Sequence, residues 1–203
     1  MKLLSTIAFF LLAAAMTMAA NKQLNIGEQA THTEVKMLGI TDDYASLQDL
    51  KLDNGLVVIF SCNTCPFVVA WEDRYNEIFD LAKQNKIGVV LVNSNYMKRE
   101  GDDSLEAMKK HAQEKGYKLP YLIDRESLLA NAWGGQTTPH VFFFDTNFKL
   151  VYKGAIDDNY KSASDVKESY LKDAIQSVAA GDAIAVPETK PLGCSIKRKV
   201  QND

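Results

Sequence analysis

The sequence is poor in cysteine, with only three in 203 residues, and neither sign of charge is in clear excess. Three cysteines are too few for the disulfide framework of a small secreted scaffold. The 23 basic and 26 acidic side chains leave a formal charge of −3, which argues against a polycationic nucleic-acid-binding chain. Internal repeats and low-complexity segments are also lacking. With 46% hydrophobic residues, the chain has the composition of a globular protein that can bury a core.

The longest apolar run lies at the start of the chain, at residues 3–16. Lys2 precedes it and the small residues Ala19 and Ala20 follow it, a pattern typical of a secretory signal peptide. We therefore expect residues 1–20 to be removed and the protein to be periplasmic or otherwise exported. An uncleaved anchor is the alternative, but the run is shorter than the roughly 20 residues that span a bilayer. No membrane span is expected after cleavage.

Hydrophobic patterning in the remaining chain predicts alternating strands and helices. The predicted strands are 56–60, 88–92, 121–123, 141–144 and 148–152, and the predicted helices are 66–85, 103–116, 126–133 and 165–180. A capping box is predicted at Ser46–Asp49, and Asp103 with Glu106 is predicted to cap the helix that Gly116 ends. This order predicts an α/β domain at 21–186, a central mixed sheet covered by helices on both faces, followed by a polar tail at 187–203.

The motif with the clearest chemistry is Cys62-Asn63-Thr64-Cys65-Pro66, between a predicted buried strand and a predicted helix. Free N–H groups and the helix dipole at such a position stabilise a thiolate. A cysteine there can have a pKa far below about 8.5 and act as a nucleophile at neutral pH. We expect Cys62 to be exposed and acidic, and Cys65, one helical turn later, to be shielded and less acidic.

Two structural interpretations of the same motif are less favoured. A zinc site needs four ligands, and the sequence offers no second CxxC and only the scattered His32, His111 and His140. A disulfide closing so short a loop would restrict the unfolded chain little, so it would contribute little stability. We therefore expect redox chemistry at this motif, without a resident metal.

A second motif, Thr137-Thr138-Pro139-His140, directly precedes the apolar strand at 141–144. Proline at the entrance to a central strand removes a donor from the sheet and needs a structural reason. A cis peptide bond between Thr138 and Pro139 would supply one.

Together these elements resemble the thioredoxin fold, and more closely the exported thioredoxin-like proteins of the redoxin and AhpC/TSA grouping, including the TlpA and ResA kind. The resemblance covers residues 27 to 180 and is carried by FSCNTCP, NSN at 93–95, TTP before FFFD, and GAIDD at 154–158. The resemblance implies a thioredoxin-like fold with an extra βα insertion. It implies that Cys62 attacks, that Cys65 resolves, and that Thr138 and Pro139 face the substrate. Protein thiols or disulfides would be the partners, with an electron donor in the membrane or periplasm and no cofactor.

The sequence departs from these families in ways that leave alternatives open. Ser61 replaces the usual tryptophan, Asn63-Thr64 replaces Gly-Pro, and the strand at 56–60 has no carboxylate to accept a proton. A thiol peroxidase of the peroxiredoxin type would need proline and threonine where Gly55 and Ile59 stand.

A copper chaperone of the Sco type is a further alternative, because Cu(I) suits soft thiolate ligands. Cys62, Cys65 and His140 would be its ligands, although that family separates its cysteines by three residues.

Cys194, in Leu192-Gly193-Cys194-Ser195, is the remaining cysteine. It is a candidate third redox thiol, with an intermolecular link or an inert residue as alternatives.

Overall fold

The computed structural model describes residues 23–199, so the predicted signal peptide at residues 1–20 lies outside the described residues. None of the helices within 23–199 is long and apolar enough to cross a membrane. The strands are β1 (Met37–Leu38), β2 (Tyr44–Ala45), β3 (Leu56–Ser61), β4 (Gly88–Asn93), β5 (Tyr121–Ile123), β6 (Thr137–Thr138), β7 (His140–Phe144), β8 (Leu150–Gly154) and β9 (Cys194–Ser195). The α-helices are α1 (Leu47–Leu50), α2 (Pro66–Trp71), α3 (Tyr75–Gln84), α4 (Leu105–Lys115), α5 (Leu128–Trp133) and α6 (Tyr170–Ala180).

The central sheet has five strands in the order β5-β4-β3-β7-β8. Strands β3, β4 and β5 run parallel to one another, whereas β7 and β8 are antiparallel to their neighbours. The predicted mixed sheet is therefore confirmed. Strand β3 is central, and the chain leaves its carboxyl end directly into the CxxC motif.

Helices cover both faces of this sheet because successive side chains of a strand point to opposite sides. Val57 and Ile59 contribute to a cluster that includes side chains of α3, α4 and α6. Val58 and Phe60 contribute to the opposite cluster, together with side chains of α1 and α5. Both faces of β3 are thus buried, which explains its unbroken apolar sequence.

Several element boundaries differ from the predictions, and in each case local hydrogen bonds explain the difference. A 3-10 turn at Glu72–Arg74, closed by the Tyr75 N–H donating to the Glu72 carbonyl, divides the predicted helix 66–85 into α2 and α3. Strand β8, predicted at 148–152, begins at Leu150, because the Asp145 side chain accepts from the backbone N–H groups of Asn147 and Lys149 and extends the turn. The last helix begins at Tyr170, after a loop in which Asp158 accepts from the N–H of Lys167.

The start of α4 is a further correction. Ser104 caps it, accepting from the N–H of Ala107 at 3.2 Å, and Asp103 does not. The capping box at Ser46–Asp49 and the end at Gly116 agree with the prediction.

The polar segment after residue 187 packs against the domain as far as it is described. The Thr189 N–H donates to the Lys153 carbonyl at 3.0 Å, and the Thr189 hydroxyl lies 2.9 Å from the Tyr152 hydroxyl. Further along, β9 pairs with β6, and the Lys197 N–H donates to Asn95 Oδ1 at 2.8 Å. These contacts bring Cys194 to the end of the sheet where the CxxC motif lies.

Candidate active site

The CxxC motif links the central strand to the first helix. Cys62 directly follows the last residue of β3, and Cys65 is the N-cap residue of α2, with Pro66 in the first helical turn. Proline is well tolerated at that position, since the N–H group it lacks would have no helical partner. The local sequence therefore brings both sulfurs to the end of the sheet, next to each other.

Thr138 supplies a polar contact to each of these sulfurs. Its hydroxyl lies 3.2 Å from Cys62 Sγ, and its carbonyl accepts from Cys65 Sγ at 3.1 Å. The Thr138-Pro139 peptide bond is cis, as the sequence analysis suggested. The structure thus brings together Cys62, Cys65 and Thr138, and Pro139 directly follows Thr138 in the chain.

Cys194 joins this group from the C-terminal segment. In the β6–β9 pair it lies directly opposite Thr138, and its side chain packs against the buried cluster that contains Cys62 and Cys65. Gly193 allows the close approach, because a Cβ atom at that position would lie 2.3 Å from the Thr138 carbonyl oxygen. The third thiol therefore lies beside the first two.

A buried carboxylate accepts a hydrogen bond from the backbone of the CxxC motif. Asp103 is 1% exposed and accepts from the N–H of Asn63 at 2.9 Å. It also accepts from the side-chain amides of Asn93 and Asn95 at 2.8 and 2.9 Å. Sequence analysis did not identify this residue as part of the site. The only available signal was the NSN segment at the end of β4, which contributes both amides.

Both cysteines of the motif are buried, so the prediction that Cys62 is exposed is wrong. Cys62 is 3% exposed and Cys65 is 5% exposed. Thr138 covers both sulfurs, and β9 runs beside Thr138. Cys194, in contrast, is partly exposed.

The acidity of the two thiols is linked, because each acts on the other. The neighbouring Cys65 raises the pKa of Cys62, burial and the Asp103 carboxylate raise it further, and the Thr138 hydroxyl opposes them. The neighbouring Cys62 lowers the pKa of Cys65, against the effect of burial and with help from Cys194 and the backbone N–H of Val68. One proton therefore leaves the pair readily and the second is held. Within the pair the pKa of Cys65 is the lowered one, opposite to the predicted order, first because Cys62 stabilises its thiolate and then because Cys194 and the Val68 N–H contact it.

A small cavity opens beside the sulfurs, with a volume of about 190 Å³. Cys62, Cys65 and Cys194 all line it, and Lys98 and Lys197 lie at its walls. The three cysteines therefore share one cavity.

The predicted alternative ligand His140 is fully buried in β7 and lies against Phe142, with ring centroids 4.6 Å apart. Its Nδ1 accepts from the Gln136 N–H, and burial lowers its pKa to about 3. Within residues 23–199, no group of three or more His, Cys, Asp or Glu side chains could hold a metal ion.

Comparison with known proteins identifies the family. A family model described as the AhpC/TSA family matches residues 26–153. The chain belongs to the AhpC/TSA family. Among curated proteins, none matches this AhpC/TSA chain.

Two solved structures are similar to this AhpC/TSA protein over most of both chains. An uncharacterized conserved protein from Geobacillus kaustophilus is 30% identical, with a TM-score of 0.81, over 89% of this chain and 95% of that one. A hypothetical protein from Sinorhizobium meliloti is 27% identical, with a TM-score of 0.80, over 89% and 98%.

A more distant match is the thioredoxin domain of a thiol-disulfide oxidoreductase from Bacteroides vulgatus. It is 17% identical, with a TM-score of 0.54, over 64% of this chain and 89% of that one. At this identity the likeness concerns the fold. The predicted thioredoxin-like fold of this AhpC/TSA protein is confirmed.

Proposed function

We propose that this protein is an exported thiol-disulfide oxidoreductase that exchanges disulfides with protein substrates through Cys62 and Cys65. The observation that carries the proposal is the placement of both sulfurs against Thr138, at the end of the central strand and at the wall of a cavity. The AhpC/TSA family and the structural likeness to a thiol-disulfide oxidoreductase support it. The apolar N-terminal run supports export.

The contacts around the sulfurs allow a proton to move within the pair before attack. When the proton lies on Cys65, that thiol donates to the Thr138 carbonyl, and the Thr138 hydroxyl can donate to a Cys62 thiolate. This arrangement stabilises the form in which Cys62 is the nucleophile, against the effects of Cys65 and of burial, which raise the pKa of Cys62. The proton has only a short distance to move, because the two thiols already contact each other.

The proposed reaction then has two exchange steps. The Cys62 thiolate attacks one sulfur of the substrate disulfide, forms a mixed disulfide and releases the other substrate sulfur as a thiolate, which takes up a proton from water. Cys65 gives up its proton and attacks Cys62 Sγ, and the second substrate sulfur leaves as a thiolate that takes up a proton in turn. The substrate disulfide is reduced, and the pair is oxidised to a Cys62–Cys65 disulfide.

Matched serine variants test these roles. Cys62→Ser should reduce a model protein disulfide no faster than the uncatalysed reaction, because the attacking sulfur is lost. Cys65→Ser should still attack and should accumulate a mixed disulfide through Cys62, visible on a non-reducing gel and by peptide mapping.

Full activity in Cys62→Ser would contradict the proposal. A mixed disulfide trapped through Cys65 in Cys62→Ser would show that Cys65 attacks first and that the two roles are reversed. Hydrogen peroxide should be tested as a substrate in parallel. Faster turnover of peroxide than of the protein disulfide would favour the peroxidase alternative.

A further inference from the structure

The active-site cavity contains three thiols, whereas the exchange reaction proposed above uses two. Cys62 and Cys65 are almost completely buried, but Cys194 is partly exposed at the same cavity. A dithiol that has to reduce the Cys62–Cys65 disulfide would therefore have poor access to either of its sulfurs. Access is one of the factors that set the rate of thiol-disulfide exchange.

Cys194 interacts with Cys65 in particular. The Cys194 side chain and its backbone N–H both lower the pKa of Cys65, and Cys65 in turn raises that of Cys194. Strand pairing explains the geometry, because the Thr138 carbonyl that contacts Cys65 belongs to the residue directly opposite Cys194. Cys65 therefore has a possible exchange partner on each side, Cys62 and Cys194.

The position of Cys194 is fixed by the chain on both sides of it. Gly193 leaves no room for a side chain against Thr138, and the Ile196 N–H donates to the Gln136 carbonyl at 3.1 Å. The pKa of Cys194 is raised to about 11, first by burial and then by Cys65, although Lys197 acts in the opposite direction. Once Cys65 is part of a disulfide it carries no charge, so its contribution to that raised pKa is removed.

We propose that Cys194 is a third exchange thiol, through which a dithiol reductant regenerates the active site. This inference rests on the proposed function. The Cys194 thiolate attacks Cys65 Sγ in the Cys62–Cys65 disulfide, a Cys65–Cys194 disulfide forms, and Cys62 leaves as a thiolate and takes up a proton. This step moves the disulfide without any net oxidation. An external dithiol then attacks the partly exposed Cys194 and releases Cys65, which takes up a proton, and the second thiol of the reductant frees Cys194. The dithiol is oxidised to a disulfide, and all three cysteines of the protein are reduced.

Disulfide mapping tests the first part of this proposal. In Cys62→Ser, oxidation with diamide should produce an intramolecular Cys65–Cys194 disulfide, found by peptide mapping. Oxidised wild-type protein, trapped in acid, should contain the same linkage as a minor species beside Cys62–Cys65. Absence of a Cys65–Cys194 linkage from both proteins would overturn the proposal.

Regeneration kinetics test the second part, with dithiothreitol as the dithiol and full-length oxidised protein as its substrate. The disulfide of Cys194→Ser should be reduced at least about tenfold more slowly than that of the wild type. The variant lacks the intramolecular thiol, whose effective concentration at the Cys62–Cys65 disulfide is millimolar or higher. Leu192→Ser, an exposed position two residues earlier, is the matched control and should be reduced at the wild-type rate. Equal rates for Cys194→Ser and wild type would contradict the relay. Failure of the proposed function is distinct, since no Cys62–Cys65 disulfide would then form in either protein.

Discussion

Asp103 shows how a single side chain can be assigned to the wrong task from sequence. An acidic residue just before a helix is a common cap, so the pattern predicted one. In the structure the neighbouring Ser104 caps α4, and Asp103 instead accepts from Asn63, Asn93 and Asn95 beneath the cysteines. These partners lie on two segments, the CxxC motif and the NSN segment at 93–95, and local patterning carries no information about whether they will meet Asp103. The CxxC motif itself was predictable because its strand and helix adjoin it in the chain.

The linked acidity of Cys62 and Cys65 gives a prediction with a definite sign. Cys62 is the largest cause of the lowered pKa of Cys65, so Cys62→Ser should raise the pKa of Cys65. Cys65 is the largest cause of the raised pKa of Cys62, so Cys65→Ser should lower the pKa of Cys62. The first wild-type proton should therefore leave at a lower pH than the proton of Cys65 in Cys62→Ser. The measurement is the alkylation rate of each protein against pH.

An identical alkylation profile for the wild type and Cys62→Ser would show that the two thiols titrate independently. That result would also remove the proton transfer between them from the proposed mechanism.

Among the secondary-structure elements, sequence patterning missed the two-residue strands β1, β2, β6 and β9, and β9 is the one that carries a cysteine of the site. The strands of the main sheet were predictable because each is a buried apolar run, as in β3, β4 and β7. Strand β9 has two residues, neither of them apolar enough to form such a run, and its partner β6 lies far away in the sequence. Its position depends on pairing with Thr138 and on the missing side chain at Gly193.

Gly193→Ala should therefore displace β9. The new Cβ atom would lie 2.3 Å from the Thr138 carbonyl oxygen, so backbone has to move. We expect a loss of about 1–3 kcal/mol in the free energy of unfolding, typical of overpacking. Hydrogen exchange at the Ile196 amide should also become faster, because its bond to Gln136 depends on the same pairing.

Gly101→Ala is the matched control, since its nearest contact would be the Lys98 carbonyl at 4.0 Å. Denaturant unfolding of both variants, with hydrogen exchange, provides the measurement. If Gly193→Ala had the wild-type stability and an equally protected Ile196 amide, the position of β9 would not depend on the close approach of Gly193 to Thr138.

Over the whole molecule, the alternation of strands and helices predicted the mixed sheet and its two covered faces. The arrangement brings the carboxyl end of β3, the β6–β7 junction and the C-terminal segment to the same end of the sheet, although they are distant in the sequence. This convergence places three cysteines around one cavity in a chain that contains only three. A count of cysteines suggested one reactive pair and one extra thiol, and only the three-dimensional arrangement shows that they share a site.

The central claim is that Cys62 and Cys65 form a reversible disulfide in an exported protein. Its most direct test is the protein isolated from its own host before and after a diamide challenge, quenched in acid, alkylated and analysed by intact mass and peptide mapping. We predict a chain that begins near Ala20 or Asn21 and that loses alkylation at Cys62 and Cys65 together after the challenge. An unprocessed chain beginning at Met1 would contradict export. Full alkylation of both cysteines after the challenge would contradict the redox role.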